Sequence, residues 1–308
     1  MTVEKCTPAD LDEPVLSAMR SHSLYTSAEF AQVWRAQKGT PVCWISRRGH
    51  EITGVLSGVE FGSGRIKRLQ IMPDGLYARP LLVGSDVATK QASIIALTQA
   101  LAAEHYSKWY VADFYGLFSQ MDGFERAEQE AVVLDLSDPD WGPPDATLRS
   151  EIRKAEREGV QVTPFAFDRY FDSFVKLMQA TERRHGRRPK YSEKFYTALA
   201  ELAARDDRIR WTVVEHESEL ACAHIYLVDG RSALYWQAFF DKNYSFLKPN
   251  QFMLYWMARE LSRQGVEELC LGASPVEASG LRNFKEKWGG SARSYPLYTR
   301  KSILGKLL

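Results

Sequence analysis

Apolar positions along the chain switch repeatedly between a period of two and a period near 3.6, and the switches come in the same order twice. In the first half, residues 42–45 and 52–56 read as paired strands around a turn at Arg48 and Gly49, and 67–71 reads as a third strand. Residues 88–104 then carry apolar side chains at 94, 95, 97, 101 and 102, the spacing of a helix with one buried face. Strands at 109–112 and 131–134 follow. In the second half, 211–214 and 220–228 pair around Glu217 and Ser218, and 233–240 is the third strand. Residues 251–264 repeat the helical spacing at 253, 254, 257, 258 and 261, and strands at 268–271 and 294–298 close the series. Residue identity between the halves is weak, so the repeat lies in the pattern.

Between the two series the pattern is helical throughout. The spacing predicts helices over 147–158 and about 167–182, and a third starting near Ser192, which suits an N-cap. Gly159 suits the end of the first of these. The cluster of Pro, Gly and Asp at 139–144 predicts a boundary, giving units at 1–145 and 146–308, the second carrying a helical insert at 147–205. Strands alternating with helices predict an α/β fold of two similar modules, each a mixed sheet covered by helices.

Length and composition agree with this picture. The chain has 308 residues, 45% hydrophobic and 26% charged, which is ample for two soluble units. No apolar run approaches the roughly 20 residues of a membrane span. The N-terminal residues lack a basic stretch followed by an apolar one, so the expected location is the cytoplasm. Cys6, Cys43, Cys222 and Cys270 stand alone, and the last three fall in apolar strands, the setting of core thiols. The six histidines show no metal-ligand spacing, and no metal is expected. The net charge of +1 hides a split. Residues 1–145 carry 13 Lys/Arg against 19 Asp/Glu, and the remainder carries 27 against 20. A basic second half suits an anionic partner.

The chemistry concentrates late in the chain. A strand at 268–272, a turn at 273–276 and the run GLRNFKEKWGG at 280–290 put a glycine-opened basic helical turn just past a strand's C-terminal end. That is where α/β proteins place ligand-handling groups. Phe284 and Lys285 stand there, an aromatic face beside an ammonium; the alternative is a core ring beside a solvated lysine. Lys285 either holds an anionic group of a substrate or polarises a carbonyl. As a base it would need a pKa far below about 10.4. In the strand at 233–240, alternation puts Tyr235 and Gln237 on one face. A glutamine there needs a partner, either a substrate or a neighbouring backbone group. His224 reads as a satisfied core histidine. Residues 181–194 carry six Lys/Arg against two Glu, a phosphate handle or a solvated charged loop. Neither GxSxG nor a Cys–His pairing marks a nucleophile.

Four blocks in order resemble one family. LRSEIRKAEREGV at 148–160 is similar to an R-x-x-I-R-K-A-x-R-x-G-V helix. TERRHGRRP at 181–189 resembles a T-x-x-R-x-G-x-P turn. Pro249 and Asn250 opening a helix that Gly265 ends form the third block, and Gly280 to Gly289 the fourth. All four resemble the Fem-like branch of the GNAT acyltransferase superfamily, over roughly residues 147–290. The resemblance implies two tandem GNAT-like domains, each a mixed, mostly antiparallel sheet flanked by helices. It implies acyl transfer to an amine by direct aminolysis, with no covalent enzyme intermediate and no tightly bound cofactor. Lys285 and Phe284 become the expected catalytic pair. Arg149, Arg153, Lys154, Arg187, Arg188, Tyr235, Gln237 and Asn250 become the expected substrate-binding residues.

Family members use either aminoacyl-tRNA or acyl-CoA as donor. A CoA-dependent GNAT cradles the pyrophosphate on a glycine-rich loop ahead of its main helix. The corresponding loop here, 241–250, has no glycine, and the first-half loop, 79–86, has one. The expectation is an aminoacyl group from aminoacyl-tRNA, held through the basic second half, passing to an amine of a cell-envelope precursor or small metabolite. The alternatives are an acyl-CoA-dependent N-acetyltransferase and a non-catalytic GNAT-like binding protein.

Overall fold

In the computed structural model, residues 1–118, 121–273, 279–303 and 305 are described, without the side chains of Ser279, Leu281 and Arg282. The turn expected at 273–276 falls outside them from residue 274 onward. The strands are β1 (Thr2–Cys6), β2 (Gly39–Arg48), β3 (Glu51–Phe61), β4 (Arg68–Ile71), β5 (Leu81–Leu82), β6 (Lys108–Ala112), β7 (Glu125–Asp135), β8 (Val162–Pro164), β9 (Ile209–His216), β10 (Glu219–Asp229), β11 (Ser232–Phe240), β12 (Glu268–Ala273) and β13 (Ser291–Lys301). The helices are α1 (Glu13–His22), α2 (Ala28–Val33), α3 (Val87–Ala103), α4 (Ala146–Arg157), α5 (Phe167–Arg184), α6 (Glu193–Ala203), α7 (Pro249–Arg263) and α8 (Ser279–Glu286).

The chain forms two compact units, residues 1–129 with 294–308, and residues 130–293. These bounds differ from the expected division at 145/146 because each closing strand leaves its own half. In the first unit the sheet runs β1-β2-β3-β4-β6-β13. β2 and β3 pair antiparallel, β4 and β6 pair parallel from Arg68↔Lys108, and β13 pairs antiparallel with β6 from Leu297↔Ala112. In the second unit the order is β7-β12-β11-β10-β9-β8. There β12 pairs antiparallel with β7, Leu269 opposite Leu134. The C-terminal strand thus completes the first unit, and the strand at the end of the first half completes the second. Period-2 alternation identifies a strand but carries no information about its neighbour.

The helices obey their sequence signals. Asp145 caps α4 by accepting from the Leu148 N–H at 2.7 Å, and Ser192 caps α6. Gly159 follows α4 at φ +71°, a conformation that favours glycine. The second unit's core packs Leu148, Ile152 and Ala155 of α4 and Leu254, Met257, Ala258 and Leu261 of α7 against Leu134, Leu269 and Tyr226 of the sheet. The first unit's core places Ile94, Leu97 and Leu101 of α3 on Trp44, Leu56, Ile71 and Val111. Among the described residues, no helix is long and apolar enough to cross a membrane, and no group of His, Cys, Asp and Glu is placed to hold a metal.

Candidate active site

The site grows from a ladder that stops early. β11 and β12 pair in parallel over only three positions, Ser232↔Glu268 to Leu234↔Cys270. β11 continues to Phe240 and β12 to Ala273 without further pairing to each other. The strands therefore part after Leu234 and Cys270. Parting strands leave backbone groups to be satisfied by something else.

Lys285 supplies part of that on the β12 side. Its ammonium donates to the Gly272 carbonyl at 2.6 Å and to the Ala273 carbonyl at 3.0 Å. The residue is 3% exposed, so the solvated-surface alternative is overturned. Burial disfavours the cation and pushes the amine down to about 8, against a small opposing effect of Cys270. Lys285 reaches inward because α8 carries it over the strand end.

The residues that follow lock α8 in place. Gly289 has φ +77°, and a Cβ there would meet Pro144 Cδ at 2.8 Å. A Cβ on Gly290 would meet Val132 Cγ1 at 2.4 Å. Glycine is required at both positions for this approach of α8 to β7 and the segment before α4.

Phe284 does not share the lysine's environment. It is half-buried, packs edge-on to Trp288 at 6.1 Å, and lines a cavity of about 270 Å³. Glu151 of α4, Gln251 in the first turn of α7, and Asn283, Lys287 and Trp288 complete much of its wall. Trp288 is fully buried and stacks on Trp141 at 6.3 Å. Glu151 pairs with Lys248 at 2.8 Å and not with its neighbours on α4. That pair ties α4 to the start of α7, where Lys248 takes φ +55°.

On the β11 side, the shared face expected for Tyr235 and Gln237 is broken by a β-bulge. The register runs Ile225↔Gln237 and then Tyr226↔Tyr235, skipping Trp236. Tyr235 therefore meets His224, Tyr226 and Asn250, whereas Gln237 meets Tyr196 of α6. Among the described residues the glutamine's partner is a side chain and not a backbone group. Tyr196 O–H donates to Gln237 Oε1 at 2.8 Å, and Gln237 Nε2 is buried with no partner among the described residues.

His224 is a fully buried histidine with both ring nitrogens bonded, to Tyr226 Oη at 2.8 Å and to Asn250 Oδ1 at 2.9 Å. Burial lowers its pKa to about 4, with the Asn250 bond opposing. The native ring stays neutral while the unfolded chain's histidine takes a proton near 6.5. Stability is therefore unaffected above about 6.5 and lost as pH falls from there toward 4, by about 3 kcal/mol in total. Urea midpoints at pH 7 and 4.5 test this. The drop should shrink in His224→Phe; an equal drop in the variant would assign the acid sensitivity elsewhere.

The expected basic handles are not brought together. Arg149 donates to the carbonyls of Pro143 and Pro144, which ties α4 to its own leading segment. Arg187 pairs with Glu182 at 3.0 Å. Arg153 and Arg188 are exposed and Lys154 is half-buried. The glycine-free loop forms a 3-10 turn (Lys242–Leu247) capped by Asp241, which accepts from the Asn243 N–H at 2.9 Å. Its amides thus take part in its own turns. Sequence reasoning missed Trp288, Tyr196 and Glu151, while its reading of His224 as a satisfied core histidine holds. Their only signals were a large aromatic or a charged residue on an apolar face, which core packing produces as often.

The two mixed sheets, the second with its parted parallel strand pair, make a fold similar to that of tandem GNAT proteins. The family comparison agrees, because residues 145–286 match the model of the Acetyltransferase (GNAT) domain. Among solved structures, the chain is similar to FemX, with a TM-score of 0.75 at 13% identity over 99% of both chains. It is similar to the C-terminal domain (DUF2156) of a putative lysylphosphatidylglycerol synthetase from Agrobacterium fabrum, at 0.63 and 14% over 95% and 93%. It is also similar to a tandem GNAT protein from the clavulanic acid biosynthesis pathway, at 0.54 and 14% over 97% and 98%. At these identities the likeness is one of fold. No curated protein matches the chain by sequence.

Proposed function

We propose that this acyltransferase moves an aminoacyl group from aminoacyl-tRNA onto an amine of a cell-envelope precursor or a small metabolite. The observation that carries the reading is Lys285, buried at the end of β12 where β11 and β12 part, with its pKa near 8. In this reading the neutral acceptor amine attacks the ester carbonyl carbon. A C–N bond forms and the carbonyl oxygen becomes an oxyanion. Lys285, as an ammonium, stabilises that charge with the N–H that Gly272 and Ala273 leave free. Collapse breaks the C–O bond to the ribose, and the proton lost by the amine ends on that oxygen. No enzyme nucleophile takes part.

Three features support the tRNA donor. Residues 241–250 contain no glycine, the second half is basic, and the fold likeness to FemX spans the chain. The cavity beside Phe284 and Lys287, at the first turn of α7, is the proposed entry for the donor's acylated end. The GNAT domain match favours a second reading in which acyl-CoA is the donor.

Thermal shifts with acetyl-CoA and with total charged tRNA separate the two readings. A shift with charged tRNA that fades between 50 and 200 mM salt is expected, since phosphate contacts release counterions, at a cost of about a hundredfold or more in affinity for roughly five contacts. A shift with acetyl-CoA alone would replace the tRNA reading with the CoA one. Binding without turnover of any amine would reduce the protein to a binding module.

A further inference from the structure

We infer that Asn250 presents its side-chain N–H to the carbonyl oxygen of the transferred acyl group, and that His224 is the positioning residue that turns it outward; this rests on the acyl-transfer reading above. The Oδ1 atom of Asn250 is 2.9 Å from His224 Nε2 and accepts from the Tyr235 hydroxyl at 3.3 Å. A carboxamide oxygen only accepts, so His224 Nε2 must carry the proton. His224 Nδ1 is then bare and accepts from the Tyr226 hydroxyl at 2.8 Å. Tautomer and amide are coupled: with Oδ1 inward the Nε2–H tautomer satisfies every contact, whereas the Nδ1–H tautomer would require Nδ2 inward. With Oδ1 held inward, Nδ2 has no partner among the described residues, and Asn250 is half-buried.

The placement suits the chemistry. Tyr235 is the first residue of β11 beyond the paired stretch, and it touches Asn250. Lys285 holds Gly272, two residues beyond the end of the same stretch on β12. The amide and the ammonium are thus anchored on the two strands that border one opening. Asn250 is followed by Gln251, which lines the cavity shared with Phe284. The purpose of burying a histidine at the root of a helix's first turn follows: an unbraced carboxamide flips, whereas this one is held from two sides. Two neutral side chains, those of His224 and Tyr235, do the holding, with Tyr226 bracing His224, and none brings a competing charge to the site.

Two measurements test it. In 15N-histidine NMR at neutral pH, with His224 assigned by its absence in His224→Gln, the Nε2–H tautomer is expected. The Nδ1–H tautomer would reverse the amide, put Oδ1 outward and overturn the inference. Asn250→Asp keeps an acceptor facing His224 and Tyr235 but replaces the outward N–H with an oxygen. It should stay folded and lose about 100-fold or more in kcat, with donor KM changed little. Turnover within threefold of the wild type would overturn the inference. If that variant does not fold, Asn250→Ala is read the same way. His224→Phe should lose kcat less than Asn250→Asp, because the amide survives but no longer faces one way. If wild-type protein acylates no amine with either donor, the acyl-transfer reading falls, while the tautomer still decides how Asn250 faces.

Discussion

Lys285→Met is expected to lower kcat by about 100-fold or more while leaving donor binding nearly intact, because it removes one preorganised donor to an oxyanion. Methionine keeps the apolar length that fills the space under β12 and lacks only the charge. Single-turnover assays with aminoacyl-tRNA, beside a thermal melt, would read the effect. Unchanged turnover would remove Lys285 from the chemistry. The pH profile separates its two candidate roles. With the amine near 8, an ammonium acting on the oxyanion loses activity as pH rises through 8. A general base gains activity over the same interval.

Stability should follow a linked course. The folded pKa lies below the unfolded value near 10.5, so carrying the cation inside costs about 3 kcal/mol below pH 8 and is relieved between 8 and 10.5. That slope should disappear in Lys285→Met. The Gly272 and Ala273 carbonyls lose their donor in the same variant, so the net change at pH 7 is expected to be small.

Trp288→Ala is expected to cost about 3–5 kcal/mol, the range for truncating a buried aromatic to leave a cavity. Trp288 is fully buried, stacks on Trp141, and meets Phe284 edge-on. Its indole Nε1 has no partner among the described residues. Trp288→Phe should therefore cost clearly less than the alanine variant, since it keeps a ring and removes an unsatisfied donor. Urea denaturation of the two variants checks this. Equal losses would mean that the indole nitrogen is bonded to something in solution. The same substitution opens the wall of the cavity beside Phe284, so Trp288→Ala should also raise donor KM where the protein still folds.

Several features of this site were legible in the chain. The block from Gly280 to Gly290 pointed to the region, and the structure explains its last two glycines. Gly289 and Gly290 allow close approach to Pro144 and Val132. Asn250 was marked by its place at the start of a helix, in the third block of the resemblance. Tyr235 and Gln237 were misjudged as one face, because a bulge opposite Ile225 and Tyr226 is a property of two strands in register and leaves no trace in the alternation of one. Arg149 and Arg187 looked like phosphate handles, and each proves to be tied to its own surroundings, since any carbonyl or carboxylate within reach claims a guanidinium.

The sequence by itself determined the elements. Hydrophobic period and capping residues placed α3, α4, α5 and α7 within a few residues of their bounds and the start of α6, and the repeated order of strands and helices implied two similar α/β modules. These are local properties, set by which residues share a face and which backbone groups a neighbouring side chain can cap. Tertiary structure decided the exchange of closing strands between the units, the parting of β11 from β12, the burial that moves Lys285 to about 8 and His224 to about 4, and the inward hold on Asn250. Each of these depends on what a residue meets on another element, 13 residues away for Lys285 and Gly272 and 26 for His224 and Asn250, and desolvation and hydrogen-bond partnership exist only once that meeting has occurred.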